Sequence, residues 1–336
     1  MIFKERFGLA LFCILVSLGS FQNLSAQFSG YENSISSAYL GGLGSNGSVS
    51  VNELGSFYGN TAGLASKNRN LLDAGAYAGY ASGDVSSLYL AGGVYFGLGE
   101  KWGLGFRAKP VFQRSFPANE RFSNHAFQGI FSYHLTDSLS LGINFGPSVS
   151  VRPGGYSSYS WNLSFGIQWE LGKWKVGGIL ESPGAYRYEK YLGSMYLKER
   201  LPERLFAGVS YEVMPEFTIL LEGSRIFWEN AYFDLNENNE KPPYPVKTMF
   251  GGNLSFAIGK KDELQLLLGI GREHRAEAFS RLKPMDTVST GVSGPFFPSL
   301  AGEGFYYSVF LMRSGLGVRE SEGAETRSGF QFQSRY

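Results

Sequence analysis

The chain has 336 residues, among them 45 glycines, 28 phenylalanines and 20 tyrosines, and only 18% of its residues are charged. The formal net charge is +1 and the basic residues form no run, which gives no sign of a nucleic-acid partner. Abundant aromatic residues and glycine combined with few charges are unusual for a soluble domain.

Residues 1–26 have the pattern of an export signal. The basic start MIFKER is followed by the apolar stretch FGLALFCILVSLGSF and by the small-residue sequence NLSAQ. The apolar stretch is too short for a good membrane-spanning helix, so we expect a signal peptide cleaved after Ala26, with an uncleaved anchor as the alternative. Cys13, the one cysteine of the sequence, lies inside this stretch. We therefore expect neither a disulfide nor a cysteine-ligated metal in the mature protein.

The next segment, residues 27–70, is rich in glycine, serine and asparagine and does not alternate cleanly. Ser50 and Glu53 have the spacing of a capping box, which predicts a short helix over roughly 51–58 that ends in a turn at GNTAG. Because the segment precedes the first alternating stretch, it is predicted to be a separate N-terminal unit.

Strict alternation characterises the rest of the chain. Between 138 and 151, every second residue is Leu, Ile, Phe, Pro or Val, and the residues between them are Ser, Gly or Asn. The stretch 158–171 alternates in the same way, with Tyr, Trp, Leu, Phe and Ile on one face and small or polar residues on the other. A period of two this strict predicts β-strands with one apolar face.

The polar face decides between a soluble sheet and a membrane barrel. It carries Ser, Gly, Asn and Gln, which suit a crowded barrel interior, and the large apolar residues of the other face suit lipid. These strands have about fifteen residues each, more than the ~9–11 that cross a membrane and the ~5–6 of a typical soluble strand. Since strands span a bilayer only in a closed sheet, residues 71–336 are predicted to be an all-β, transmembrane antiparallel β-barrel in the cell outer membrane; a soluble β protein is the alternative.

Short turns alternate with long loops and delimit the predicted strands. Barrels of this class have short turns in the periplasm and long loops outside. The strands are predicted near 71–82, 85–98, 101–113, 124–135, 137–151, 157–171, 173–181, 203–213, 216–228, 246–259, 262–273 and 304–316, with a closing strand in SGFQFQSRY. Both ends in the periplasm require an even number, so one more strand is expected within 182–203 or 273–303. We favour fourteen strands over twelve.

The irregular segment 27–70 can either hang in the periplasm as a tail or fold inward as a hatch that plugs the lumen. We favour the hatch, because backbone crowded into a lumen requires glycine. Phe57, Tyr58 and Leu64 also need apolar cover, and we expect them to line an apolar pocket. Asn60 is expected to hold the turn with side-chain hydrogen bonds.

Two stretches resemble the FadL-type outer-membrane transport family, which includes the PorV and PorQ proteins of type IX secretion. The sequence SAYLGGLGSNGSVSVNELGSFYGNTAGLA at 37–65 is similar to the opening of that family, and LPERLFAGVSYEVMPEFTILLEGSRIFW at 201–228 is similar to one of its strand pairs. The Asn-Pro-Ala of the family corresponds here to Asn60, Thr61 and Ala62, so threonine stands in place of the proline.

The resemblance implies a fourteen-stranded barrel with an N-terminal hatch. It also implies inward movement of hydrophobic molecules such as long-chain fatty acids. A bound hydrophobic ligand gains about 25 cal/mol per Å² of apolar surface buried. The predicted substrate-binding residues lie on the hatch: Phe57, Tyr58, Asn60, Thr61, Ala62 and Leu64.

Arg107 and Lys109 are predicted to point into the lumen, because they alternate with the large apolar residues of their strand. One interpretation is a structural charge network with Glu170, Glu212 or Glu222. The other is binding of a fatty-acid carboxylate.

No spacing of residues predicts a catalytic site, a metal site or a cofactor, so we do not expect an enzyme. The main functional hypothesis is a FadL-like transporter or binder of hydrophobic small molecules, with outer-membrane lipid as its other partner. The alternatives are a PorV/PorQ-like component of a secretion or surface-attachment complex, which would have protein partners, and a general porin. The sequence does not identify a substrate or an oligomeric state.

Overall fold

The computed structural model describes residues 37–44, 47–49, 52–65, 70–81, 84–114, 121–152, 154, 156–192, 194–234, 249–261, 263–274, 285–296, 304–316 and 325–335. The predicted signal peptide and Ser50 lie outside the described residues. No helix among the described residues is long and apolar enough to cross a membrane.

The described chain begins with three short helical elements and continues as β-strands. The helical elements are α1 (Ala38–Leu43), α2 (Glu53–Tyr58) and a 3₁₀ turn (Thr61–Leu64). The strands are β1 (Leu71–Ala81), β2 (Asp84–Leu98), β3 (Trp102–Arg114), β4 (Arg121–Thr136), β5 (Leu139–Arg152), β6 (Tyr156–Leu171), β7 (Trp174–Glu181), β8 (Tyr186–Tyr191), β9 (Ser194–Arg200), β10 (Glu203–Met214), β11 (Phe217–Phe227), β12 (Tyr232–Asp234), β13 (Met249–Ile258), β14 (Gln265–His274), β15 (Met285–Pro295), β16 (Gly304–Leu316) and β17 (Glu325–Arg335).

Fourteen of these strands form a closed antiparallel barrel, which confirms the predicted fold class and the favoured strand number. The ring runs through β1–β7, β10, β11 and β13–β17, and the first and last strands pair from Leu71 with Arg335 to Tyr80 with Thr326. The strand missing from the sequence-based count is β15, within 273–303. Closure gives every wall strand two partners, so the wall has no open edge.

The three remaining strands extend the wall beyond the ring at the end that carries the long loops. β8 pairs with β6 above β7, β9 pairs with β8, and β12 pairs with β9. The interval 182–203 therefore contains two strands that sequence alternation did not predict. Neither belongs to the closed ring.

The predicted facing of the strands is confirmed. Phe145 and Trp161 stack on the outer face, with ring centroids 5.0 Å apart, and each is 52% exposed. Ser164 and Gln168 on the opposite face of β6 are buried. Trp228, directly after β11, is buried, because it continues the alternation of β11 on the inward face that Ile226 also occupies.

Candidate functional site

The described residues of the N-terminal segment, 37–44, 47–49 and 52–65, lie inside the barrel as a hatch, as predicted. Both short helices and the 3₁₀ turn are enclosed by the wall, and the side chains of Tyr39, Leu43, Phe57 and Leu64 are completely inaccessible to solvent. These residues belong to one apolar cluster that also includes inward-facing wall residues of β1, β2, β14 and β16. The lumen at this level is filled by protein.

Helix α1 was not predicted, although its caps are readable in the sequence. Ser37 accepts a hydrogen bond from the amide of Leu40 at the N-terminus, and Gly44 ends the helix with a positive φ of 62°. The free carbonyls at its C-terminus are satisfied by the wall. The hydroxyl of Ser255 donates to the carbonyl of Leu43 at 2.7 Å, and that of Ser289 donates to the carbonyl of Gly42 at 3.0 Å.

Helix α2 lies within the predicted range but begins at Glu53 instead of 51. The cap is Asn52, whose side-chain oxygen accepts from the amide of Gly55 at 3.0 Å. An asparagine in extended conformation directly before the helix supplies the acceptor.

The aromatic pair at the end of α2 is tied to the wall. Phe57 and Tyr58 pack edge to face, with centroids 4.9 Å apart. The Tyr58 hydroxyl donates to one carboxylate oxygen of Asp73 at 2.6 Å, and the Gln331 amide donates to the other at 2.6 Å. Burial raises the pKa of Tyr58 well above its usual range, and Asp73 raises it further, so the phenol keeps its proton as donor. Gln331 also accepts from the amide of Ala38 at 2.9 Å. One buried cluster therefore holds both helices.

Arg107 and Lys109 point inward, as predicted, and both contact the hatch. Arg107 donates to the carbonyl of Phe57 and, at 2.8 Å, to the side chain of Gln128. Its guanidinium lies 5.9 Å from the centre of the Tyr58 ring, and the Lys109 ammonium lies 5.6 Å from it. The two cations therefore hold the end of α2 against the wall.

Two of the three carboxylates predicted for that charge network contact other groups. Glu170 pairs with Lys175 at 3.2 Å, and Glu222 accepts from the amide of Ser48 in the hatch at 2.5 Å. Glu222 therefore contributes to holding the hatch through a backbone donor.

Asn60 holds the turn after α2, as predicted, and also joins it to the wall. Its side-chain oxygen accepts from the amide of Ala62 at 3.2 Å. Its side-chain nitrogen donates within the hatch to the carbonyl of Ser48 at 2.8 Å, and to the wall carbonyls of Ile167 at 2.7 Å and Gly178 at 3.3 Å. The Thr61–Leu64 turn follows, and Thr61 stands where the Asn-Pro-Ala sequence of the FadL-type family has proline.

Five inward-facing wall glycines form the surface on which the hatch rests, which we call the glycine seat. A Cβ atom at any of them would lie 2.0–2.6 Å from a hatch atom, a distance that real Cβ contacts essentially never show. The hatch can therefore lie this close to the wall only because these five positions carry no side chain. The seat glycines and the hatch residues that they meet are Gly142 with Ala62, Gly166 with Asn60, Gly177 and Gly208 with Ser48, and Gly269 with Leu43.

A buried ion pair fastens the other side of α2 near the short-turn end. The Glu53 carboxylate lies 3.4 Å from the guanidinium of Arg335 and 3.6 Å from the ammonium of Lys261. Arg335, on the last strand, also covers the ring of Tyr306 at 3.8 Å. Nothing in the sequence spacing indicated this pair, because its members lie 282 residues apart.

The predicted binding residues of the hatch are all brought together, but in a closed packing. Phe57, Tyr58, Ala62 and Leu64 are at most 3% exposed. Their role in binding a substrate therefore stays a prediction. Within the described ranges, no group of three or more His, Cys, Asp or Glu side chains is placed to hold a metal ion.

Solved structures with the same architecture are channels and transporters. The chain is similar to the CymD monoaromatic hydrocarbon channel (14% identity, TM-score 0.63, covering 89% of this chain and 97% of that one) and to a Pseudomonas aeruginosa FadL homologue (10%, 0.66, 92% and 99%). It is also similar to the Pseudomonas putida toluene transporter TodX (12%, 0.58, 89% and 96%). The chain therefore has the FadL-type barrel fold. No protein-family model matches it, and a comparison with curated proteins finds no match.

Proposed function

We propose that the protein is an outer-membrane transporter of hydrophobic small molecules, with fatty acids or monoaromatic hydrocarbons as the substrate class. The observation that carries the proposal is the hatch, which fills the lumen with apolar side chains. Solved structures of the same fold include hydrocarbon channels and toluene transporters. A transporter rather than an enzyme agrees with these neighbours.

The contacts between the hatch and the wall support a closed state that can open. Its contacts with the wall are side-chain hydrogen bonds, ion pairs and apolar packing, each worth about 1–3 kcal/mol. A ligand that buries apolar surface against Phe57, Tyr58 and Leu64 would compete with this packing. Displacement of the hatch would then open a route along the lumen, while the wall keeps its hydrogen-bonded ring.

The sequence pattern of an export signal in residues 1–26 supports the same placement. The proposal includes a mature chain that begins at Gln27 after removal of the signal, in a barrel that crosses the outer membrane with its outer apolar face in lipid. Fractionation and the intact mass of the purified protein test both statements.

Uptake measured in proteoliposomes tests the transport activity. We expect entry of radiolabelled toluene or oleate above that of empty liposomes, and slower entry with Phe57→Ala. The matched control is Phe145→Ala, which removes the same ring from the outer face and should leave uptake unchanged. Equal uptake by empty liposomes and by liposomes that contain the protein would contradict the proposal. Entry of small polar solutes instead would indicate a porin, and a stable complex with secretion proteins in mild detergent would indicate the secretion role.

A further inference from the structure

The inner wall above the hatch carries a strip of polar side chains that transport of a plain hydrocarbon does not explain. Strands β5 and β6 pair in register along this stretch. Their inward-facing residues, which alternate with outward ones such as Phe145 and Trp161, are all serine, asparagine or glycine. We call these residues the polar strip: Asn144, Gly146, Ser148, Ser150, Ser158, Ser160, Asn162 and Ser164.

Hydrogen bonds order the polar strip, but one of its buried oxygens remains unpaired. The Ser148 hydroxyl donates to the side-chain oxygen of Asn124 on β4 at 2.9 Å, and the side-chain nitrogen of Asn144 donates to the Ser164 hydroxyl at 2.9 Å. Asn144 is 3% exposed, and its side-chain oxygen has no hydrogen-bond partner among the described residues. A buried amide oxygen without a donor costs free energy, which a bound ligand that supplies the donor would recover.

A second unpaired oxygen lies on the hatch, next to the lower end of the polar strip. Thr61 is 1% exposed, and within the described part of the chain its hydroxyl also has no hydrogen-bond partner. A Cβ atom at Gly142 would lie 2.6 Å from this oxygen. Gly142 precedes Asn144 by two residues on the inner face of β5, so the Thr61 hydroxyl lies one row of inward side chains below the Asn144 amide. The polar strip therefore meets the hatch at two buried, unpaired oxygens.

Apolar side chains border this polar position. Ile130 on β4 pairs with Asn144 in register, and it belongs to the apolar cluster that encloses the hatch. Leu64, at the end of the turn that begins with Thr61, belongs to the same cluster. A molecule with one polar group on an apolar body matches these surroundings, because its two parts would contact groups of their own kind.

The hydrogen-bonding capacity of the two oxygens indicates which polar group fits. A hydrocarbon offers neither a donor nor an acceptor, and an ionised carboxylate offers acceptors alone, so neither can donate to the Asn144 oxygen. A hydroxyl group has one donor and two acceptor lone pairs. It can therefore donate to Asn144 and accept from the hydroxyl of Thr61.

We propose that the protein prefers hydrophobic molecules that carry a neutral hydroxyl group, and that Asn144 and Thr61 bind this hydroxyl. Both oxygens are covered in the closed hatch, so the ligand reaches them when the Thr61–Leu64 turn moves away from β5. The two oxygens then gain the partner that they lack in the closed packing. This inference rests on the proposed function and narrows its substrate class.

Equilibrium dialysis of nanodiscs that contain the full chain, with binding to empty nanodiscs subtracted, tests the proposal. The radiolabelled probes are toluene, p-cresol and p-toluate, which share a methyl-substituted ring and carry hydrogen, hydroxyl or carboxylate opposite the methyl group. We expect the wild type to bind p-cresol about tenfold more tightly than either of the other two, as one recovered hydrogen bond predicts. Thr61→Val and Asn144→Leu, which remove the hydrogen-bonding groups at similar volume, should reduce this preference to less than about twofold.

The matched control is Thr290→Val, which makes the same replacement on the outer face, where Val288 is exposed, and should keep the preference for p-cresol. Thr61→Ser should keep it as well, because the hydroxyl remains. Electrophoretic heat modifiability verifies that each barrel is folded.

Equal binding of p-cresol and toluene by the wild type would overturn the proposal, as would equal binding of p-cresol and p-toluate. An unchanged preference in both Thr61→Val and Asn144→Leu would also overturn it. Toluene binding should be the same in the wild type and these variants, so a failure of this inference leaves the transporter proposal standing. Binding of none of the three probes by the wild type would overturn both.

Discussion

The wall and the hatch of this protein are held by different interactions. Each wall strand is paired along its length with two neighbours in a closed ring. The hatch helices have six residues each, which is far below the length at which an isolated helix is stable in water. They are ordered by contacts that the wall supplies, such as the Ser255 and Ser289 hydroxyls at the end of α1 and Asp73 beside α2.

This difference shows that the hatch depends on the wall for its stability, whereas the wall does not depend on the hatch. The wall is complete without the hatch, because no strand of the ring uses a hatch residue as a partner. The hatch is incomplete without the wall, because its carbonyls and buried aromatic side chains depend on inward-facing residues. A charge on the outer face should therefore destabilise the whole barrel, whereas overpacking at the glycine seat should release the hatch from a folded barrel.

The largest effect on global stability is expected for a charge on the outer face. Leu163 pairs with Phe145 in register, midway between Tyr159 and Trp169 on the outer face of β6. Leu163→Arg should lower the free energy of unfolding by about 2–4 kcal/mol, because the guanidinium would lie in the lipid midplane. Reversible unfolding into lipid vesicles measures the change.

The control for this prediction is Ser164→Arg, one residue along the strand. Ser164 faces the lumen and pairs in register with Glu181, which gives a new cation a carboxylate neighbour. Ser164→Arg should therefore lower the free energy of unfolding by less than Leu163→Arg does. Equal costs at both positions would refute the assignment of the two faces.

The next effect is expected at the glycine seat and should appear in the hatch alone. A Cβ at Gly166 would lie 2.2 Å from the side-chain oxygen of Asn60. Gly166→Val should destabilise the seated hatch by about 1–3 kcal/mol through overpacking and produce open events in single-channel records. Gly223→Val is the control, since a Cβ there meets its nearest atom at 3.9 Å. Identical records from both variants would show that the seat does not hold the hatch.

A smaller effect is expected for loss of the hydrogen bond from Tyr58 to Asp73. Tyr58→Phe removes the donor to Asp73 and should weaken the seating of α2 by about 1–2 kcal/mol. Hydrogen exchange of the α2 amides should then be faster by about tenfold, with no change in the wall strands. Tyr211→Phe, on the outer face against Trp174, is the control. Unchanged exchange in Tyr58→Phe would mean that Asp73 does not fasten α2.

The wall was largely predictable from the sequence, because a lipid-facing strand must alternate between two kinds of side chain. The strand that was missed, β15, has Ser, Thr and Gly at most positions, and among its described side chains only Val288 is both large and apolar and exposed. The extension strands β8 and β9 were missed because they lie above the apolar band. Their outer face carries Tyr, Lys and Arg instead of Leu and Phe.

The hatch was predictable in place but not in detail. Its composition and the positions of Phe57, Tyr58 and Asn60 indicated a buried, turn-rich segment. The sequence could not show that α1 ends on wall hydroxyls, or that Gly166 and Gly269 face the hatch, because these contacts join positions more than one hundred residues apart. The pair of Glu53 with Arg335 was missed for the same reason.

Single-channel conductance of the chain lacking residues 30–68 tests the central claim most directly. The intact protein should be nearly closed in a planar bilayer, and the deleted form should remain a folded, heat-modifiable barrel that conducts steadily. If the intact protein already conducts like a wide porin and the deletion changes nothing, the segment does not close the lumen. If the deleted chain fails to fold, the wall depends on the hatch, which contradicts the claim that the wall is stable without it.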